Sequence, residues 1–145
     1  MQRRENLMEK SSYKLLNIIL VESQFKREPE INYDAENFKS DIHINIENQK
    51  KENKLFVILT IDFKAGIADK NQIFSRIKML GIFEYSRDDI ISVDNFAQIN
   101  GPAIIFPFVR EHLATLSLKA GINPILLPPI NFVKLSQEKK NIKNN

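Results

Sequence analysis

The chain has 145 residues, 43% of them apolar and 27% charged, with 21 Lys and Arg against 18 Asp and Glu for a net charge of +3. This composition suits one folded domain and excludes a disordered chain. Cysteine is absent, which rules out disulfides and thiolate metal sites.

Met1–Ser12 is polar and reads as a disordered tail ahead of a domain spanning residues 13–136. Tyr13–Phe25 is rich in aliphatic and β-branched residues and reads as a strand, with a helix as the alternative over so short a run. Alternation sends Leu15, Ile19, Val21 and Phe25 to one face and Leu16, Ile18 and Leu20 to the other. An edge strand with one wet face would not be apolar on both sides, so the strand is expected to be central or covered by another chain. Leu15–Val21 is also far short of the ~20 apolar residues that cross a bilayer. The residues before Tyr13 show no apolar core or small-residue cleavage site, so a cytoplasmic location with no signal peptide and no membrane insertion is expected.

A charged connection from Lys26 to about Glu36 carries Pro29, Ile31 and Tyr33. Asp41–Glu47 alternates cleanly, with Ile42, Ile44 and Ile46 inward. Asn48–Lys54 reads as a hairpin loop. Leu55–Lys64 follows as a third strand, with Leu55, Val57, Leu59, Ile61 and Phe63 inward and Phe56 and Ile58 on the nominally wet face. Gly66–Asn71 reads as a turn and Gln72 to about Tyr85 as a fourth strand. A long first connection and two hairpins predict a four-stranded antiparallel Greek key, with strand four beside strand one.

Arg87–Asn100 is expected to be a connector in which Asp88 or Asp89 caps a short helical turn. Pro107 suits the first turn of a helix, where N–H groups have no intrahelical partner, so a helix is predicted from near Ala103 and not much earlier. Phe106, Val109, Leu113, Leu116 and Ala120 follow at helical spacing, and Gly121 supplies a left-handed stop. After a crossing with Pro124, Pro128 and Pro129, Asn131 can cap a final short helix from Phe132. Residues 137–145 read as a polar tail. The fold class is α+β, with one antiparallel sheet and helices on one face.

No catalytic constellation emerges, so the chain reads as a non-enzyme. His43 sits at a solvent position of a strand and His112 on the polar side of the long helix, without the three or four convergent ligands a metal needs. No serine stands in a nucleophile elbow, and Gly66 and Gly81 are isolated, so no phosphate cradle exists. No cofactor is implied. The surplus of basic residues lies at the termini without a groove-reading motif, which argues against nucleic acid. The remaining chemistry is apolar surface, which marks interaction sites and self-association.

The stretch Phe106-Pro107-Phe108, Arg110-Glu111, Gly121, then Leu127, Pro129, Asn131 and Phe132 resembles the signature of the SecB protein-export chaperones. Gly81-Ile82-Phe83 resembles the end of that family's last strand. The resemblance implies a SecB-like fold and an ATP-independent holdase that binds unfolded or partly folded polypeptides. It implies client-binding positions at Tyr33, Phe38, Ile42, Phe132 and Leu135. It also implies a homo-oligomer, a dimer of dimers, with interface positions Leu16, Ile18, Leu20, Phe106, Val109, Leu113 and Leu116. The family docks its partner SecA through an acidic sheet face, whose positions here are Glu22, Lys26, Phe74 and Arg76. Lys26 and Arg76 replace carboxylates, and this argues against docking a basic module. Two further readings stay open. One is a chaperone dedicated to a single client, such as an antitoxin in a toxin–antitoxin–chaperone system. The other is a small-ligand or regulatory module on the same sheet.

Overall fold

The computed structural model describes residues 13–86 and 88–144, with side chains up to Lys140. The tail expected at Met1–Ser12 and residue Arg87 lie outside the described residues. Four strands, β1 (Lys14–Arg27), β2 (Phe38–Lys51), β3 (Lys54–Ile67) and β4 (Lys70–Glu84), form one antiparallel sheet in the order β1-β4-β3-β2. Strand four therefore lies beside strand one, as the hairpin count required.

Both hairpins are tighter than their polar sequences suggest. Lys51 pairs with Lys54 and Ile67 pairs with Lys70, so each turn has two residues. Glu52 and Ala68 take positive φ (58° and 47°) to close them. Polar side chains at Asn48–Lys51 do not end β2, because the backbone ladder continues while the side chains stay in water.

The inward face follows the period of two. Leu55, Val57, Leu59 and Ile61 of β3 and Ile73, Ile77 and Phe83 of β4 are buried, and Ile42, Ile44 and Ile46 of β2 point to the same side. β1 departs from simple alternation. Its register against β4 slips between Leu15 and Asn17 and again between Leu20 and Glu22. Each bulge inserts one residue, and one extra residue reverses every later side chain. Leu15, Ile18, Leu20 and Phe25 thus stand opposite inward residues of β4, while Asn17, Ile19, Glu22 and Gln24 stand opposite outward ones. The expected grouping of Leu15 with Ile19 and Val21 is corrected accordingly. β1 is also an edge strand, not a central one.

The helical region begins earlier than Pro107 suggested. A short helix α1 (Val93–Asn95) leads into a π-helical turn (Phe96–Asn100) and the long helix α2 (Gly101–Lys119). Its cap is Ser92, whose Oγ accepts from the Asn95 N–H at 3.2 Å, and not Asp88 or Asp89. The Asp89 carboxylate instead accepts from the Ile91 N–H at 3.4 Å within the connector. The π turn explains the early start. Gly101 N–H bonds to Phe96 O, five residues back. The wider turn makes room before Pro102, whose ring would crowd the carbonyl four residues back in a regular helix. Pro107 then lies inside α2 on an exposed face, beside an equally exposed Ala103.

α2 ends as its sequence demands. Gly121 adopts φ +71°, and the Ile122 N–H reaches back to Ser117 O at 3.2 Å. The buried Ser117 hydroxyl donates to Leu113 O at 2.7 Å and accepts from the Ile125 N–H at 3.2 Å, which starts the proline-rich crossing. Arg27 donates to Ala120 O at 2.7 Å and places its charge at the negative end of the α2 dipole. Asn131 caps α3 (Phe132–Asn144), with Oδ1 accepting from the Lys134 N–H at 3.0 Å. α3 continues through the stretch read as a polar tail, so residues 137–144 are helical.

Candidate binding surfaces

Among the described residues, no three His, Cys, Asp or Glu side chains gather as a metal site. The two histidines serve the sheet. His112 of α2 shares a 2.8 Å hydrogen bond with Ser23 of β1, and His43 stands exposed across from Asp62. No helix among the described residues is long and apolar enough to cross a membrane. The chemistry of the molecule therefore lies in three surfaces.

The first is the helix side of the sheet near the β1–β2 connection. Gln72 clamps that connection by exchanging two hydrogen bonds with Asn32, at 3.0 and 2.7 Å. The clamp presents Tyr33, whose ring packs 5.3 Å from that of Phe38 at the start of β2. Ile42 lies four residues further on the same face, half-buried against the core. Across the crossing, Phe132 is buried edge-to-face against Phe106 at 6.0 Å, and Leu135 is half-buried one turn on. The five expected client positions thus fall into two groups, one on β2 and its connection and one on α3.

A neighbouring hollow escaped the sequence reading. Ile99, Ala103, Pro129, Ile130, Asn131, Phe132 and Val133 line a mostly apolar groove of about 440 Å³. It forms where the π turn and the crossing diverge, beside the exposed Val133. The Pro128-Pro129 pair, which cannot continue a helix, is the sequence feature that borders it.

The second surface is the β1 edge. Leu15, Leu16, Ile19, Leu20 and Val21 are all exposed, Val21 by 52%. Of the expected interface residues, Leu16 and Leu20 belong here and Ile18 is half-buried beside them. Phe106, Val109 and Leu113 are corrected: they are 8%, 0% and 1% exposed and face this chain's own sheet. This is the packing expected of a helix on one face of the sheet, and it leaves these three side chains almost no exposed surface for another chain. Leu116 is half-buried against the same core, and α2 shows solvent Ile104, Phe108 and Leu118 instead. The start of β1 is pinned by Tyr13, which stacks on Phe96 at 3.8 Å and donates to Ile91 O at 2.9 Å.

The third surface is the open face of the sheet. Glu22, Lys26, Phe74 and Arg76 all lie there, as the strand register requires. Arg76 makes two hydrogen bonds to Asp62, at 2.8 and 2.9 Å, a bidentate pair that sequence spacing alone did not reveal. The Arg76 hydrogen bonds hold the Asp62 carboxyl below the usual carboxylate range, against a smaller opposing push from burial. A carboxyl whose folded-state pKa is lowered stabilises the fold above its unfolded pKa. That stability is lost as pH falls through the lower, folded value. Arg76→Met is therefore expected to raise the Asp62 titration midpoint, read by NMR of the carboxyl carbon, and to flatten the acid limb of the stability curve. An unchanged midpoint would show that the pair does not govern Asp62.

These surfaces coincide with a known family. A model of the preprotein translocase subunit SecB matches residues 22–143. The chain belongs to the SecB family. It is 32% identical over 113 residues to an uncharacterized protein of Methanocaldococcus jannaschii, a match covering 74% of this chain and 72% of that one. It is 31% identical over 96 residues to the protein-export protein SecB of Methylobacillus flagellatus, covering 66% of this chain and 61% of that protein. The matched region thus spans somewhat under two thirds to nearly three quarters of these relatives' own lengths. The SecB-like chaperone of Mycobacterium tuberculosis, solved in complex with a peptide from an antitoxin, superposes with a TM-score of 0.70. That match covers 90% of this chain and 98% of the other at 13% identity, which shows a shared fold. In this chain the helix side carries the aromatic pairs, β1 is an apolar edge, and the open face carries Lys26 and Arg76.

Proposed function

We propose that this SecB-family protein is an ATP-independent holdase chaperone. It binds unfolded or partly folded polypeptides on the helix side of its sheet, through Tyr33, Phe38 and Ile42 on one bank and Phe132 and Leu135 on the other. The single observation that carries this reading is the Tyr33–Phe38 aromatic pair held at the rim by the Asn32–Gln72 clamp, with Tyr33 itself 42% exposed. An apolar surface of this kind suits clients that vary in sequence, because burial is non-directional and scales with area. A homo-oligomer paired through β1 and a cytoplasmic location belong to the same reading. SecA docking does not, because Lys26 presents the wrong sign to a basic module and Arg76 ties up the Asp62 carboxylate.

Light scattering of an aggregating client without ATP tests the proposal. Suppression at stoichiometric chaperone is the expected result, and its absence overturns the holdase reading. Tyr33→Ser is expected to weaken client binding by up to about tenfold, in keeping with the ~0.5–1.5 kcal/mol of an aromatic pair. A variant that binds clients as well as the parent would remove Tyr33 from the site. The antitoxin peptide bound to the Mycobacterium tuberculosis chaperone of the same fold motivates a second reading, in which the surface serves one dedicated client. A single stoichiometric partner that co-purifies, with no suppression of unrelated clients, would favour it.

A further inference from the structure

The open face of the sheet is not uniformly polar. At one end, Phe56 pairs with Ile82, and Ile58 pairs with Leu80, which in turn stands opposite Ile19 of β1. These five side chains form one apolar strip across three strands, half-buried or exposed, and no described element of the chain covers it. Six residues further along β3, about 20 Å at ~3.4 Å per residue, the character changes. Phe74 there stands between Lys26 on β1 and Lys64 on β3.

The charges on this second half do not cancel. Arg76 is taken up by Asp62. Glu22 stands opposite Lys78, and Asp41 opposite Lys64. Lys26 faces Phe74 and Lys39 faces Gly66, so neither has a carboxylate directly across from it. The face therefore offers an apolar strip at one end and an excess of lysine around an aromatic ring at the other.

We infer that the open face docks an acidic amphipathic polypeptide segment, lying along the strands with apolar residues on the Phe56–Leu80 strip and carboxylates at Lys26 and Lys39. Apolar burial supplies the affinity. The lysines select the sign of the partner and its orientation, since like charges at this end oppose binding and slow encounter. The surface lies on the opposite side of the sheet from the proposed client positions, so the two can be separated by experiment.

The test measures fluorescence anisotropy of a synthetic peptide with a Leu/Phe-rich first half and a Glu-rich second half. A control peptide carries Lys in place of every Glu, and both are titrated with the full chain at low and high salt. The acidic peptide is expected to bind at least about tenfold tighter at low salt, with the gap shrinking at high salt. Lys26→Glu/Lys39→Glu is expected to reverse the preference while leaving suppression of client aggregation intact, and Tyr33→Ser is expected to leave peptide binding unchanged. Equal affinity for both peptides, or binding lost in Tyr33→Ser but kept in the lysine variant, overturns the inference. So does a change of oligomeric mass in Leu80→Asn with no change in peptide affinity, which would assign the face to a second copy of the chain.

Discussion

Replacing Leu20 and Val21 together by glutamate is expected to abolish the β1-paired oligomer proposed above and leave a monomer. β1 is an edge strand that exposes five large aliphatic side chains, Leu20 by 44% and Val21 by 52%. Folded proteins blunt such edges with charge, proline or cover, because an apolar edge pairs with whatever strand it meets. Here no charge interrupts Leu15–Val21, and the bulge residues Leu16 and Val21 are themselves apolar. Cover by a second β1 is the arrangement proposed for protecting the edge. In a two-fold interface each substitution acts twice. At ~1.5–3 kcal/mol per fully buried aliphatic side chain, four losses amount to roughly 6–12 kcal/mol, at least about four orders of magnitude in dissociation constant. Sedimentation or light-scattering mass measures the result, and far-UV circular dichroism checks that the β1–β4 ladder persists. A folded variant of unchanged mass would mean that β1 is not where copies of the chain meet.

The second large effect lies where α2 crosses the sheet. Gly81 is a point of close approach: a Cβ there would sit 2.8 Å from Ile105 Cδ1 and 3.0 Å from Phe83 Cε2. Ile105 is fully buried over it. Gly81→Ala is expected to destabilise the fold by ~1–3 kcal/mol through overpacking, and Ile105→Ala by ~2–5 kcal/mol through the cavity it leaves. Ile105→Val removes the methyl group that the new Cβ would strike. Gly81→Ala with Ile105→Val should therefore cost less than the two single changes added, with a coupling of ~0.5–3 kcal/mol. Urea midpoints at constant m-value report it. Strict additivity would show that α2 can shift away from β4 without loss, and that the crossing is not set by this contact.

The same contact shows why some of the fold was legible and some was not. Period-two alternation placed Leu55–Phe63 and Ile42–Ile46 on the inner face, because in β2 and β3 each residue meets one partner without interruption there. It failed in β1, where two inserted residues reversed the phase. A bulge is decided by how two strands meet and leaves no mark in the periodicity of one of them. The caps at Gly121 and Asn131 were readable because each depends on its own neighbours. The start of the helical region was not. Proline chemistry marked Pro107 as a helix entrance, whereas the π turn at Phe96–Asn100 carried the helix in from Val93.

The binding surfaces divide in the same way. Aromatic residues near Tyr33 and Phe132 were identified through family resemblance, and the structure places them in two groups on the helix side. Phe106, Val109 and Leu113 form the stripe that packs α2 on the sheet, as the expected architecture required, and their burial leaves the interface role implied by the resemblance with almost no exposed surface. The groove beside Val133 and the Asp62–Arg76 pair depend on residues far apart in sequence, brought together only by the crossing and by the cross-strand register.

The sequence by itself determined the four strands, the two longer helices, the inward face of β2 and β3, the two local caps and the family, since all of these rest on short-range periodicity or ordered motifs. Only the tertiary structure decided which residues of β1 face inward, which stripe of α2 is left for partners, and which charges of the open face pair with one another. Those properties depend on strand register and helix placement, where a single inserted residue or a glycine at a crossing reassigns every side chain that follows.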